Sequence, residues 1–135
     1  MEVEIFSLCD AANNTAGKLS ILGAFDTINV KELPYVHPHC AIALRMRFLR
    51  IEEGDHKIRI DMVDEDGKSL GPKLDGGVKV NIPEGTQSTS VNMCLGINNL
   101  KIEKPGNYEI NLAIDGRQVN SLPLMVIKQN KEKNQ

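Results

Sequence analysis

The chain has 135 residues, of which 41% are hydrophobic and 25% are charged, and its formal net charge is −2. These values predict one globular domain with a single core and argue against wholesale disorder. The near-neutral charge gives no general attraction to nucleic acid or to anionic membranes. Aromatic residues make up 4% and Trp is absent, so few rings are left to stack on bases. We therefore expect no nucleic-acid partner.

Cysteine usage and the N-terminal residues predict the compartment. The three cysteines, Cys9, Cys40 and Cys94, are odd in number and widely spaced, unlike a disulfide framework. The N-terminus shows no basic segment followed by an apolar run, so no secretory signal is expected. No apolar run approaches the ~20 residues of a membrane span. We expect a soluble cytoplasmic protein without membrane contact.

Two strands are predicted in the first 30 residues. Residues 2–10 alternate between apolar and polar, with a change of phase near Ile5 that indicates a bulge or a strand covered on both faces. Asn and Gly residues in 11–17 predict a turn. Residues 18–30 form the second predicted strand, whose phase changes at Gly23. Residues 31–39 contain two prolines and are predicted to connect one sheet to another.

Residues 40–66 carry the strongest alternation and predict a long antiparallel hairpin. One face is apolar, and the other carries the basic residues Arg45, Arg47, Lys57 and Arg59. If Phe48 pairs near Ile58, Arg47 faces Arg59, and like charges directly opposite are destabilising. Either neighbouring acidic residues form a charge ladder with them, or the face is a docking surface for an acidic protein partner. The charge ladder is the plainer interpretation.

The C-terminal half predicts four further strands, at residues 78–82, 91–97, 108–114 and 118–128. Asp115-Gly116 joins the last two as a tight hairpin. Pro123 indicates an edge position. Without a convincing helical period, this predicts one all-β domain over residues 1–128 and a polar tail over 129–135. We expect an antiparallel β-sandwich of about eight strands, Greek-key or immunoglobulin-like, with a closed β-barrel as the alternative.

Short segments spread along nearly the whole chain match one known pattern. They are Gly17-Lys18-Leu19, Gly23-Ala24-Phe25-Asp26, His37-Pro38, Leu44-Arg45-Met46-Arg47-Phe48, Asp64-Glu65-Asp66-Gly67, Pro105-Gly106-Asn107-Tyr108, Asp115-Gly116-Arg117 and Leu122-Pro123-Leu124. In these segments the chain resembles a family of small, free-standing bacterial β-sandwich proteins known only as a domain of unknown function. The resemblance implies a bacterial sandwich domain and supplies no catalytic or ligand-binding residues. Many of the shared residues are turn formers, which suggests that the pattern mostly specifies the fold.

The cluster His37, His39 and Cys40 offers ligands that suit zinc. It could also combine a Cys40 nucleophile with a histidine base. An ordinary proline-bearing connector entering a strand explains the same residues, and no second ligand pair is visible. The acidic residues 64–66 could bind calcium, but a solvated turn is the plainer interpretation.

The sequence thus favours a non-enzymatic protein-binding or assembly module, using the basic face of the predicted hairpin. We expect no cofactor, and a homodimer that covers an edge strand. The alternative is a metal-dependent enzyme or sensor that uses the cluster at residues 37–40.

Overall fold

A computed structural model describes residues 1–71 and 73–129, and these residues form nine strands in two sheets. A single 3₁₀ turn among them, Arg50–Glu52, joins β4 to β5. Six residues of the predicted tail, 130–135, lie outside the described part. The strands are β1 Glu2–Thr15, β2 Lys18–Ala24, β3 Thr27–Val30, β4 Tyr35–Leu49, β5 Gly54–Val63, β6 Leu74–Val80, β7 Ser88–Ile102, β8 Gly106–Ile114 and β9 Arg117–Lys128.

The predicted all-β sandwich is confirmed, and the described part of the chain has one strand more than expected. The first sheet has the order β2-β1-β4-β7, and the second has the order β3-β9-β8-β5-β6. Every pairing in these two sheets is antiparallel except that of β3 with β9, which is parallel. The parallel pair departs from the purely antiparallel prediction, and it follows from the path by which the chain changes sheets.

The core lies between the two sheets, where the apolar sides of the alternating strands meet. It is built from residues such as Ile42, Leu44 and Phe48 of β4, Ile58 and Ile60 of β5, and Ile110 and Leu112 of β8, each at most 2% exposed. The described residues include no helix long and apolar enough to cross a membrane.

The hairpin predicted for residues 40–66 is wrong, because β4 and β5 belong to different sheets. Both predicted strands are present, but β4 already pairs with β1 on one side and with β7 on the other. No side of β4 is left for β5. The turn at Arg50–Glu52 therefore carries the chain to the second sheet, where β5 pairs with β6 and β8.

The strand predicted for residues 18–30 is two strands, one in each sheet. Gly23 has φ of 68°, a conformation that favours glycine, and a Cβ at this position would overlap the Asp10 carboxylate. The chain leaves the first sheet just beyond this point and β3 joins β9. Residues 31–34 then return it to the first sheet, as predicted for the connector, although β4 already begins at Tyr35.

The β1–β2 hairpin lies across the outer face of the first sheet. The predicted phase change in β1 is confirmed as a register shift between Val3 and Ile5. Beyond Cys9, β1 leaves β4 and pairs with β2. A second, small cluster forms beneath the hairpin from Cys9, Ala41 and Ala43, with Ala12 and Leu19 packed on it. Small side chains on β4 leave the space that the hairpin occupies.

Candidate functional site

The three residues of the predicted metal cluster do not converge. Cys40 is 1% exposed and points into the core, whereas His39 is exposed and bonds through Nδ1 to Asn98 Oδ1 at 2.8 Å. His37 is half-buried, with Nδ1 3.1 Å from Tyr35 Oη and its ring against Phe25. Adjacent residues of a strand point to opposite faces, which separates His39 from Cys40. Among the described residues no group of three or more His, Cys, Asp or Glu could hold a metal ion.

The surroundings of Cys40 also disfavour its role as a nucleophile. Burial raises the pKa of the Cys40 thiol to about 11, and the neighbouring Cys9 and Asp10 act in the same direction. The reactive form of a cysteine is the thiolate. At neutral pH this thiol therefore stays protonated, as expected of a small core residue.

Arg45 and Arg47 lie side by side on the outer face of β4 and share one carboxylate. Glu4 Oε1 accepts from Arg45 Nε at 2.9 Å, and Glu4 Oε2 accepts from Arg47 Nε at 2.8 Å. The second nitrogens donate to Asn92 Oδ1 and Ser88 Oγ of β7, each at 3.0 Å. Both guanidinium groups thus contribute to a polar network across β1, β4 and β7.

Lys57 and Arg59 lie on β5, in the other sheet, so the four basic residues do not form one surface. Arg47 does not face Arg59. Instead Arg59 pairs in register with Asp75 of β6, and its Nε donates to Asp75 Oδ1 at 2.7 Å. The repulsion inferred from the predicted hairpin does not arise. Arg45 and Arg47 pair with Glu4 in the first sheet, and Arg59 pairs with Asp75 in the second.

The acidic turn at residues 64–66 uses its carboxylates to hold the backbone. Asp64 Oδ1 accepts from the backbone N–H groups of Asp66 and Lys68, both at 2.9 Å. Glu65 Oε1 accepts from Asn107 N at 2.8 Å. These bonds tie the turn to itself and to the start of β8, as expected for a solvated turn.

His56 is a residue that sequence reasoning missed, because it looked isolated among charged neighbours. Its Nδ1 lies 2.6 Å from Asp115 Oδ2 and its Nε2 lies 2.6 Å from the carbonyl oxygen of Glu52. The ring also packs on Phe48, with centroids 4.8 Å apart. The Glu52 carboxylate in turn binds the N-terminal ammonium at 2.6 Å. His56 therefore ties three separate parts of the chain together.

Strand β7 forms an unusual edge of the first sheet. Its 15 residues, Ser88–Ile102, pair with β4 along their whole length. Within residues 1–71 and 73–129 no strand pairs with the opposite side of β7. Residues 88–100 contain no charged residue and no proline. The backbone N–H and C=O groups on that side are therefore open to pairing with another strand.

The remaining edges of the described sheets are short. β2, β3 and β6 have 7, 4 and 7 residues. β6 also carries Asp75, Lys79 and two glycines. Short length and charge are two of the usual means by which proteins protect an edge from unwanted pairing. β7 is 15 residues long and carries no charge over residues 88–100, so it is the edge best suited to accept a strand.

A cavity of about 510 Å³ opens between the two sheets beside β7. Its walls come from both sheets, with Ile42 and Ile97 on one side and Ile60 and Ile110 on the other. Polar residues at its mouth include Asn98, Asn99, Lys101 and Glu103. The cavity was not foreseen from the sequence, because its residues come from strands distant in the chain.

The fold and these surfaces define a two-sheet, all-β domain with an open edge strand. The chain belongs to the family of unknown function DUF6941, whose model matches residues 4–127. No curated protein matches the sequence.

Two of the similar solved structures are enzymes with low identity to this chain. One is an alkylpurine DNA glycosylase, AlkC, from Pseudomonas fluorescens, with 11% identity and a TM-score of 0.43, covering 76% of this chain and 28% of its own. Another is a β-glucosidase from Listeria innocua, with 11% identity and a TM-score of 0.47, covering 94% of this chain and 17% of its own. The chain spans less than a third of either protein.

Proposed function

We propose that this protein is a non-enzymatic assembly module of the bacterial cytoplasm, in which β7 pairs with β7 of a second copy. The observation that carries the proposal is the uncharged edge at residues 88–100. Main-chain hydrogen bonds along an open edge are a common source of protein–protein affinity. The free thiols of all three cysteines support a reducing compartment.

The apolar residues on the inner side of β7 favour an added β-strand as the partner at this open edge. Val91, Met93, Leu95 and Ile97 pack against the core, yet each is only partly buried, because β7 has a neighbour on one side only. An added strand with apolar residues on the same face would complete their burial. Burial of apolar area contributes roughly 25 cal/mol per Å².

A second copy fits this edge because the strand is complementary to itself. An antiparallel pairing that matches the whole stretch 88–100 has its two-fold axis at Cys94, the midpoint. In that register Val91 lies opposite Ile97 and Met93 lies opposite Leu95, so apolar residues meet on the core side. No like charges oppose each other, since the stretch carries none. The pair would join two sheets across one symmetric interface.

In this register the Cys94 residues of the two copies lie opposite each other, so a cross-link between them tests the proposed pairing directly. Directly opposite residues of an antiparallel pair have Cα atoms about 4.5–5.5 Å apart, within the range of a disulfide. Copper–phenanthroline should therefore cross-link the wild-type protein into a dimer, and Cys94→Ser should abolish the cross-link. Sedimentation velocity over a concentration series should show a reversible dimer for both proteins without oxidant.

The interface is tested by placing like charges on the axis. Cys94→Lys should give a folded monomer, whereas the matched control Met125→Lys, on an exposed residue of the second sheet, should stay dimeric. Circular dichroism checks that both variants fold. A wild-type protein that is monomeric throughout the series, or a dimer that Cys94→Lys leaves intact, would contradict the proposal.

The cluster at residues 37–40 does not favour the alternative of a metal-dependent enzyme, because its side chains diverge.

A further inference from the structure

We propose that the cavity between the sheets is a binding site for a small molecule with a hydrocarbon body and one neutral, hydrogen-bonding end. Its volume of about 510 Å³ lies in the range of small-molecule sites, roughly 300–1,000 Å³. The cavity and the proposed pairing share part of β7, because residues 96–100 line the cavity, but Cys94, whose substitution tests the pairing, does not line it.

The floor of the cavity is the hydrophobic core itself. Ile42 and Ile110 are fully buried, and Ile60 is 2% exposed. No buried polar or charged residue occurs in the part of the chain that the structure describes. Water needs two to four polar partners to occupy a buried site stably. An apolar occupant therefore suits the floor better than water does.

Leu70 and Leu74 form the roof of the cavity and are only partly buried. Backbone hydrogen bonds hold the chain at Leu70. Leu70 N donates to the carbonyl oxygen of Met62 at 2.7 Å, and Val63 forms a bridge with Ser69. Leu70 and Leu74 contact the core but keep part of their surface open. A hydrocarbon body between these two leucines and the floor would remove that surface from water.

The polar groups gather at one end, where β7 is kinked. Asn99 has φ of 54°, rare outside glycine, so Ile97 before it and Leu100 after it both line the cavity. Lys101 Nζ lies 3.7 Å from Glu103 Oε1, which balances the charge at this mouth. The amide of Asn99 can both donate and accept hydrogen bonds, whereas Asn98 Oδ1 already bonds to His39. This end suits a neutral hydroxyl or amide better than a carboxylate.

Two probes of equal chain length test the class of ligand. Decan-1-ol and decanoate are titrated separately into the 135-residue protein. Binding is followed by backbone amide chemical shifts and by displacement of an apolar fluorescent dye. Decan-1-ol should bind saturably, raise Tm and shift the amides of residues 70, 97 and 100. Decanoate should bind several-fold more weakly. Tighter binding of decanoate, or no saturable binding of decan-1-ol, would overturn the inference.

Variants that fill the cavity from each sheet test its location. Ile97→Phe and Leu74→Phe should each weaken decan-1-ol binding about tenfold or more, by analogy with single-methylene effects in apolar pockets. The matched control Met125→Phe lies on an exposed site and should bind as the wild type does. Because the variants change different sheets, one folded variant is enough for a result. Wild-type affinity in every folded variant would contradict the location.

Discussion

His56 Nδ1 and Asp115 Oδ2 lie 2.6 Å apart and join β5 to the β8–β9 turn. The Nε2 of the same ring meets the carbonyl oxygen of Glu52. Neither oxygen is a donor, so both nitrogens are satisfied together only in the doubly protonated ring. The Glu52 carbonyl and the Asp115 carboxylate accordingly raise the pKa of His56.

This relationship predicts how stability depends on pH. The folded-state pKa of His56 exceeds the unfolded value of about 6.5, so its contribution is complete below that pH and is lost as pH rises through the folded pKa. The pKa of Asp115 is lowered, first by its bond from Lys57 N and then by His56, so the pair persists until pH falls through that lower pKa.

His56→Gln should lower the free energy of unfolding by about 1–3 kcal/mol near pH 6, the usual contribution of hydrogen bonds to a charged group. The difference from the wild type should shrink at alkaline pH. Urea unfolding at a series of pH values measures it. The exposed His39, changed to Gln, serves as the control. An equal loss at every pH would show that the imidazolium is not the stabilising form.

Glu4→Gln should destabilise the first sheet, because Arg45 and Arg47 would lose the carboxylate that they share. We expect a lower Tm at low salt and a smaller difference at high salt, since salt screens exposed charges. Asp75→Asn is the control and should cause a smaller loss of Tm. Asp75 pairs with one arginine and not two, and its side chain is 58% exposed, whereas that of Glu4 is 29% exposed. A greater loss of Tm for the control would contradict the shared-carboxylate account.

Ala43→Leu should disturb the hairpin that lies across the first sheet. Ala43 is fully buried beneath it, and overpacking a tight site typically costs about 1–3 kcal/mol. Hydrogen exchange of amides in β1 beyond Cys9 and in β2 should become faster. Ala113→Leu on the half-buried face of β8 should have a smaller effect. Unchanged exchange in the hairpin would show that Ala43 does not support it.

Local patterns were sufficient for the elements that depend on local chemistry. The alternation of β4 and β5, the change of phase near Ile5 and the Asp115-Gly116 hairpin were all predicted, and the structure has each of them. Period-2 alternation and turn propensity act between residues close in the chain. They can therefore be read without knowledge of the partner strand.

Local patterns were not sufficient for the hypotheses about functional sites, because these hypotheses depended on which strands pair. Alternation at residues 40–66 is equally compatible with a hairpin and with two strands in opposite sheets. The choice was decided by β1 and β7, which occupy both sides of β4 and lie about 40 and 50 residues away in the chain. Because β4 and β5 lie in different sheets, Arg47 is separated from Arg59. On β5, His56 contacts Asp115.

From its alternation and turns alone, the sequence determined an all-β fold, with a sandwich favoured over a closed barrel, and an uncharged stretch at residues 88–100. Only the tertiary structure decided that this stretch is an open edge and that a cavity lies beside it. The physical reason is that the edge and the cavity are properties of the space between strands. Long-range pairing creates that space, and no local pattern encodes it.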